Sequence, residues 1–414
     1  MMGSNKHSYI LTKCQACETP VLKKIYFFGF VPSVNSLIKI EENKYESLFF
    51  PLDFYICQNC WLGQISCVVD KKILFPKTYP YTSSTTKILR QNFENLSNEI
   101  QDFINIKKNN LIIDIGSNDG NLLSFFKSKM RVLGITPEEI GRSAIKKGIP
   151  TILDYFNNES RIKILKKYGK AKIITATNVF AHIDNVNNLI LNIKKCLEDD
   201  GIFVSESHYL TKVISEMQYD TIYHEHMRYY SLTSLNKLFL KNKLYIFHAK
   251  EIPTHGGSIR VYVSKNKRYK KTKTLKKILN KEQKIFKTST LENFKKKVLE
   301  SKLELISRIN LIKKEGYKIY GVGAPSRAST LICYTGLDEN MINAILEIKG
   351  SSKIGKYMPG TKIPVIEEGD INYKNLKYLL LFSWHIKEDL KRVFRKKGFK
   401  GKFIIPLPKC RIEN

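Results

Sequence analysis

No run of apolar residues in this chain reaches the roughly 18–20 that a membrane helix needs. The N-terminal stretch MMGSNKHSYILTKC lacks the apolar core of a secretory signal, so the protein is expected to be cytoplasmic, with no membrane partner. Acidic residues are few: 38 Asp and Glu stand against 70 Lys and Arg, a net charge of +32. Such a charge invites a nucleic-acid reading. The lysines, however, are spread over the whole chain, mixed with Asn and Ile, and far outnumber Arg. That is a compositional bias rather than a footprint, and no nucleic-acid partner is expected. A basic surface would still attract a phosphorylated small substrate. The length, 414 residues, exceeds one ordinary core and predicts two to three domains.

Cysteine is also limited, with eight residues, but four fall in pairs: CQAC at 14–17 and CQNC at 57–60. Cys67, Cys196, Cys333 and Cys410 are scattered. In a cytosolic protein, paired C-x-x-C motifs read as metal ligands rather than disulfides. Residues 1–75 otherwise hold short β-like runs (KKIYFFGFV, LDFYIC) and no long helical pattern. Cys14, Cys17, Cys57 and Cys60 can close a tetrahedral thiolate site around a structural zinc, leaving no position for water.

A helix is predicted over 85–105 from apolar spacing of three and four. Then strands and helices alternate: NLIIDIGSND, GNLLSFFKSK, RVLGIT, EEIGRSAIKKG, KIITATNVF, VNNLILNIKKCLEDDG and GIFVSES. This alternation predicts a doubly wound α/β sheet with helices on both faces. The Lys-rich stretch 266–315 is helical in pattern, with its charges as a solvated face. A second strand–turn–helix unit starts at YKIYGVGAPSRASTLICY and continues through INAILEIK, YLLLFS and GKFIIPLP. The expected domains are 1–75, 76–265 and 266–414.

In the first α/β unit, DIGSNDGNLL puts Asp114 at a strand end, then Gly116, Asn118, Asp119 and Gly120 entering a helix. Glycine allows the tight turn, and the helix N-terminus faces a ligand. The spacing is not the G-x-G-x-x-G dinucleotide fingerprint. Its D-x-G-x-x-D-G form resembles the S-adenosylmethionine loop of class I methyltransferases, where it holds the methionine part of the cofactor. TNVFAHIDN follows the third strand and places Asn178 and His182 where ligands bind in such folds. PTHGGSIRVYV sets Gly256 and Gly257 between His255 and a strand with Arg260, and by itself reads as a hairpin turn.

Histidine is scarce, with eight residues in all, yet two of them bracket a glutamate in DTIYHEHMRYY at 220–230. The spacing is not the H-E-x-x-H of a zinc protease. At i and i+2 the two rings share a face only on a strand or in a loop. Acid–base chemistry fits better, since a carboxylate can tune or orient an adjacent histidine.

The motif order is CxxC…CxxCWLGQ, Y-x-Y-x-SS, DIGSNDG, TNVFAHIDN, YDTIYHEH-x-x-YYSL, HGGSIRVYV, YGVGAPSRAST and YMPGTKIPV. It resembles the sugar C-methyltransferase family that makes branched deoxysugars, over nearly the whole chain. The resemblance implies a zinc-binding module, a central S-adenosylmethionine domain and a C-terminal Rossmann-like domain. It implies a nucleotide-linked 4-keto-6-deoxysugar that loses its C3 proton to a base, the enolate then taking the cofactor's methyl group. His226 matches the base; Tyr223, His224 and Glu225 would orient it or hold the sugar. His182 and Asn178 would line the same cavity, and Tyr79 and Tyr81 of YPYTSS would reach into it. The implied partner is a small nucleotide-sugar, with the chain a monomer or weak homo-oligomer. Three positions depart from the family pattern: Thr136 stands where a ribose-binding acid is usual, so that either Glu138 substitutes for it or the cofactor is held more weakly, Arg327 replaces Lys, and His385 replaces Asn. An O- or N-methyltransferase, an epimerase-like use of the same base, and an RNA-associated methyltransferase are the alternatives, the last ranking lowest.

Overall fold

The computed structural model describes residues 7–42, 47–75 and 87–414. Its centre is a seven-stranded sheet. The order across it is Tyr245–Ile252, Ser258–Ser264, Leu197–His208, Ala171–Thr177, Leu111–Ile115, Arg131–Ile135 and Thr151–Ile152. All five residues of Leu111–Ile115 are buried, as a central parallel strand covered on both faces requires. From that strand the chain first steps outward through Arg131–Ile135 and Thr151–Ile152, then returns to the other side at Ala171–Thr177. The order therefore reverses between Leu111–Ile115 and Ala171–Thr177. A crevice opens at the carboxyl ends of those two strands. The turns that follow them, at 116–120 and 178–182, face it. Ser258–Ser264 runs antiparallel between its neighbours.

The C-terminal sheet has eight strands. Ile319–Val322 lies between Ala344–Glu347 and Tyr378–Leu381, both parallel to it. At its far edge Lys356–Tyr357 pairs with Ile38–Lys39, a strand from the N-terminal region. The N-terminal four-stranded sheet, in turn, takes Arg228–Tyr229 as its edge strand, paired with Gly63–Ile65. Segments of the first and second expected domains are thus built into sheets of their neighbours.

The Lys-rich stretch forms two helices, Lys273–Ile285 and Thr288–Lys314. They serve different cores. Leu275 and Ile278 of the first join the central core, beyond the expected boundary at 265. Leu291, Phe294 and Val298 of the second join the core shared by the C-terminal sheet and the N-terminal module. Within the first helix one acid is fully buried. Glu282 accepts from the backbone N–H groups of Leu232 (2.6 Å) and Thr233 (2.8 Å) and from the Thr233 hydroxyl (2.6 Å). It meets orphan donors at the start of the helix Leu232–Lys241, where a negative charge suits the helix dipole. Glu282→Ala is expected to destabilise the protein by about 3 kcal/mol through these charge-assisted bonds, read as a lower urea midpoint. The exposed Lys284→Ala should leave the midpoint unchanged.

Candidate active site

The two C-x-x-C turns have the same shape. Glu18 N–H reaches the Cys14 carbonyl at 2.9 Å, and Trp61 N–H reaches the Cys57 carbonyl at 2.8 Å. The residue after each second cysteine has positive φ, 64° at Glu18 and 58° at Trp61. These matching knuckles bring all four sulfurs within 4.8 Å of one another, with Cys14–Cys60 at 3.5 Å and Cys17–Cys57 at 3.6 Å. A tetrahedral zinc with Zn–S bonds near 2.3 Å separates its sulfurs by about 3.8 Å, so the donor set fits a closed structural zinc site. Asn59 Nδ2 at 3.5 Å and the Thr19 hydroxyl at 3.2 Å support Cys17 Sγ from outside. Gln15, inside the first knuckle, points away from the metal. Its Oε1 accepts from Arg228 at 2.6 Å and its Nε2 donates to the Met227 carbonyl at 3.2 Å.

In the crevice of the central sheet, Gly116 has φ of 75°, and a Cβ there would meet Val179 Cγ2 at 2.4 Å. At Gly120, with φ of 78°, a Cβ would meet Ile149 Cδ1 at 2.8 Å and Ala144 Cβ at 2.9 Å. Both turns therefore require glycine. Asp114 is buried and accepts from the Thr175 hydroxyl at 2.6 Å. Burial pushes its carboxyl up to about 7; Glu206 adds to the rise and the Thr175 bond opposes it. Asp119 pairs with Lys147 at 3.3 Å. Asn118, with φ of 49°, donates to Glu138 Oε2 at 2.9 Å and draws that acid to the loop beside Thr136. Asn178 also has positive φ, 57°, and its N–H donates to the Glu206 carbonyl at 2.9 Å. Glu206 is itself held from below by Arg260 Nε at 2.7 Å.

His182 follows in the same turn. Its Nδ1–H donates to the Glu225 carbonyl at 2.7 Å, tying it to the 223–226 block. The His226 ring lies 5.1 Å from that of His182 and 5.3 Å from that of His208. Nδ1 of His226 faces the Thr221 carbonyl at 3.2 Å, which can only accept, so the proton of the neutral ring sits on Nδ1. Nε2 then carries the lone pair, and the Tyr223 hydroxyl donates to it at 3.1 Å with the two rings stacked at 4.2 Å.

The other two members of the block turn elsewhere. His224 packs on Phe50 and donates from Nε2 to the Pro51 carbonyl at 3.2 Å, on the N-terminal module. The Glu225 carboxylate accepts from Asn35 at 2.7 Å. Tyr79 and Tyr81 lie outside the described residues.

The sequence reading missed two members of the histidine cluster. His208 ends the strand Leu197–His208, at the same edge of the sheet as Asn178, and that position was the available signal. His255, 6.3 Å from His208 between ring centres, sits before the glycine pair with φ of 55°. Its Nε2 is buried, with no hydrogen-bond partner among the described residues. Burial lowers the affinity of all four rings for a proton, to about 4 at His182 and His255, to about 3 at His208, and well below 6.5 at His226. All four are neutral at pH 7. His226 can accept a proton from carbon; backbone carbonyls already take the single N–H of His182 and of His208, which leaves the Tyr223 hydroxyl and His255 to donate to a developing oxyanion.

Comparison with known proteins identifies the parts. Residues 14–75 match the family described as "Putative zinc binding domain", residues 88–249 a methyltransferase domain, and residues 253–408 the C-methyltransferase C-terminal domain. Taken together, the three matches make the chain an S-adenosylmethionine-dependent methyltransferase with a zinc-binding module. It is similar to the C-methyltransferase NovU of Streptomyces niveus, 27% identical over 410 residues that cover 97% of each chain. Among solved structures, magnesium protoporphyrin IX methyltransferase from Synechocystis PCC 6803 aligns with 43% of this chain and 79% of its own, at 12% identity and a TM-score of 0.33. An S-adenosylmethionine-dependent methyltransferase from Clostridium acetobutylicum aligns with 44% of this chain and 93% of its own, at 12% identity and a TM-score of 0.33. The central sheet is that of a class I S-adenosylmethionine-dependent methyltransferase, with the antiparallel strand second from one edge. No helix among the described residues is long and apolar enough to cross a membrane.

Two outcomes follow for this C-methyltransferase. Unfolded histidines take up a proton near pH 6.5, whereas the folded ones do so only toward pH 3–4. Between those values the unfolded chain binds more protons, so stability is complete above pH 6.5 and falls as the pH is lowered through this window. The melting temperature should drop steadily from pH 7 to pH 5, and a rise would contradict the assignment. Removing the metal, by chelation or Cys60→Ser, should lower bound zinc and melting temperature together. Turnover should fall with them, because Gln15 links the knuckle to Arg228.

Proposed function

We propose that the chain methylates the C3 carbon of a nucleotide-linked 4-keto-6-deoxysugar, using S-adenosylmethionine, in the synthesis of a branched sugar. The observation that carries this reading is the Tyr223–His226 pair: a neutral imidazole with its lone pair on Nε2, inside a buried cluster next to the cofactor crevice. Removing a C–H proton next to a ketone needs a positioned base with a free lone pair, whereas methylation of oxygen or nitrogen makes a smaller demand. The NovU likeness supports methylation at carbon.

In this mechanism the ketosugar enters and the Tyr223 hydroxyl moves from Nε2 to the ketone oxygen. His226 Nε2 takes the C3 proton, and the electron pair of the C–H bond passes into the enolate. The Thr221 carbonyl holds the Nδ1–H of the imidazolium that forms. Tyr223 donates to the enolate oxygen, and His255, whose Nε2 has no hydrogen-bond partner among the described residues, would be a second donor. The low basicity of His226 is offset because negative charge develops beside it as it gains its proton. S-adenosylmethionine supplies a methyl group on a cationic sulfur, so transfer to the enolate carbon cancels charge and needs no metal. Asp114, Gly116, Asn118, Asp119 and Gly120 would hold the cofactor's methionine end, with Asn178 at the adjoining turn. Glu138 would take the ribose hydroxyls in place of the absent acid at Thr136.

The test is mass spectrometry of dTDP-, GDP- and CDP-linked 4-keto-6-deoxysugars incubated with S-adenosylmethionine in deuterated water. A methyl mass gained on the ring is expected, and His226→Asn should slow it by about 10³-fold with S-adenosylmethionine still bound. Tyr223→Phe should cost about tenfold. Cofactor binding without methylation of any ketosugar would refute the substrate reading.

A further inference from the structure

In the C-terminal sheet, the strand Ile319–Val322 turns through residues 323–325 into the helix Ser326–Thr335, and the neighbouring strand ends in an acid, Glu347. In nucleotide-binding sheets a glycine turn, a helix start and an acid at such a place meet a ligand. Here several of these groups bind the chain itself. The Ala324 N–H donates to Glu347 Oε1 at 2.6 Å, and the Lys353 ammonium donates to the Ala324 carbonyl. The first turn of the helix reaches out of its own domain. Arg327 makes two parallel hydrogen bonds to Asp220, Nε to Oδ2 at 2.8 Å and Nη2 to Oδ1 at 2.7 Å. The indole N–H of Trp384 adds a third to Oδ2 at 2.7 Å, and the guanidinium lies 4.8 Å over the Trp384 ring. One turn further along the helix, the Thr330 hydroxyl donates to the Ile222 carbonyl at 3.1 Å.

These contacts fall on the two residues either side of Thr221. The Thr221 carbonyl is the group that faces His226 Nδ1, and it also accepts from the Tyr229 hydroxyl at 2.8 Å. Both charges of the Arg327–Asp220 pair are buried, with side-chain exposures of 8% and 1%. A two-pronged guanidinium–carboxylate contact fixes orientation as well as distance. Asp220 therefore has little freedom, and neither has the peptide that follows it.

We propose that Arg327 is a positioning residue of the methyl-transfer reaction: by holding Asp220 it fixes the Thr221 carbonyl that sets the tautomer and the ring plane of His226. The C-terminal domain thereby aims the base that works in the central one. The proposal rests on His226 being that base. A shift of about 1 Å in a reacting group costs on the order of 100-fold in rate. An imidazole that rocks about its Cβ, or places its proton on Nε2, loses the geometry or the lone pair, while the substrate and cofactor sites are left in place.

The test is a double-mutant cycle on the full-length protein with the ketosugar assay. Arg327→Gln is expected to lower kcat by about 30- to 100-fold, with both KM values within about twofold of wild type. In a His226→Asn background the same replacement should cost less than about threefold, because no base remains to be aimed. Equal losses in the two backgrounds, or unchanged kcat in Arg327→Gln, would overturn the proposal. If Arg327→Gln loses its cooperative melt, Thr330→Val replaces it in the cycle, with an expected loss of about fivefold in kcat and the same non-additivity. His226→Asn alone reports separately on the base. Wild-type turnover in that variant would withdraw the base assignment and this proposal with it, whereas a slow variant with additive losses would remove only the role of Arg327.

Discussion

Arg228 is completely buried, and among the described residues no carboxylate pairs with it. A cation taken out of water without a counter-ion is a severe cost, and it persists only where hydrogen bonds occupy its donors. Arg228 meets that demand with carbonyl oxygens. Nε and Nη2 share the Phe180 carbonyl at 3.2 and 3.0 Å, Nη2 also reaches that of Ile183, and Nη1 reaches that of Asp184 at 3.3 Å and Gln15 Oε1 at 2.6 Å. The turn that carries His182 is thus gathered around one guanidinium, with the metal knuckle on the other side. The Met227 N–H to the Ala181 carbonyl at 3.0 Å closes the same seam. Because the buried charge is satisfied by oxygens from several segments at once, the 223–226 block, the His182 turn and the zinc module are set in mutual register.

Charge also governs the cavity in a second way. Five histidines, His182, His208, His226, His255 and His385, lie within reach of one another's fields, and two arginines stand behind them. Arg228 acts on His182, and Arg327 acts on His208, His255 and His385, each making protonation harder on top of burial. A cluster of imidazoles in water would share protons near neutral pH. Inside these walls it is a set of neutral rings whose hydrogen bonds dictate which nitrogen holds the proton. Carbonyl partners at Glu225, Thr221 and His255 make that choice for His182, His226 and His208.

Much of this was legible in the residues. The switch-point turns were, because glycines with forced positive φ leave a sequence pattern that follows strand periodicity. The paired cysteines were, because two identical knuckles need two identical spacings. The faces of the YHEH block were not. It lies in irregular chain, where no period tells which of His224 and His226 looks inward, and the answer came from packing of His224 on Phe50 and Pro51. Nor were the exchanged strands, since Ile38–Lys39 and Arg228–Tyr229 are two residues long and carry no alternation to read. The helix Lys273–Ile285 looked like a solvated run because lysines dominate it. Its one buried acid, Glu282, is a single residue among them, and only the position of the helix Leu232–Lys241 shows what it is for.

The pairing of Ile38–Lys39 with Lys356–Tyr357 sets a timetable for the growing chain. More than three hundred residues separate the two strands, which at about 5–20 residues per second is on the order of 15–60 s of synthesis. Throughout that interval the N-terminal strand leaves the ribosome with its ladder groups unmatched, while the zinc knuckles beside it can close as soon as Cys60 emerges. Early metal capture would keep the first module compact and its bare edge short until the last domain arrives to cover it.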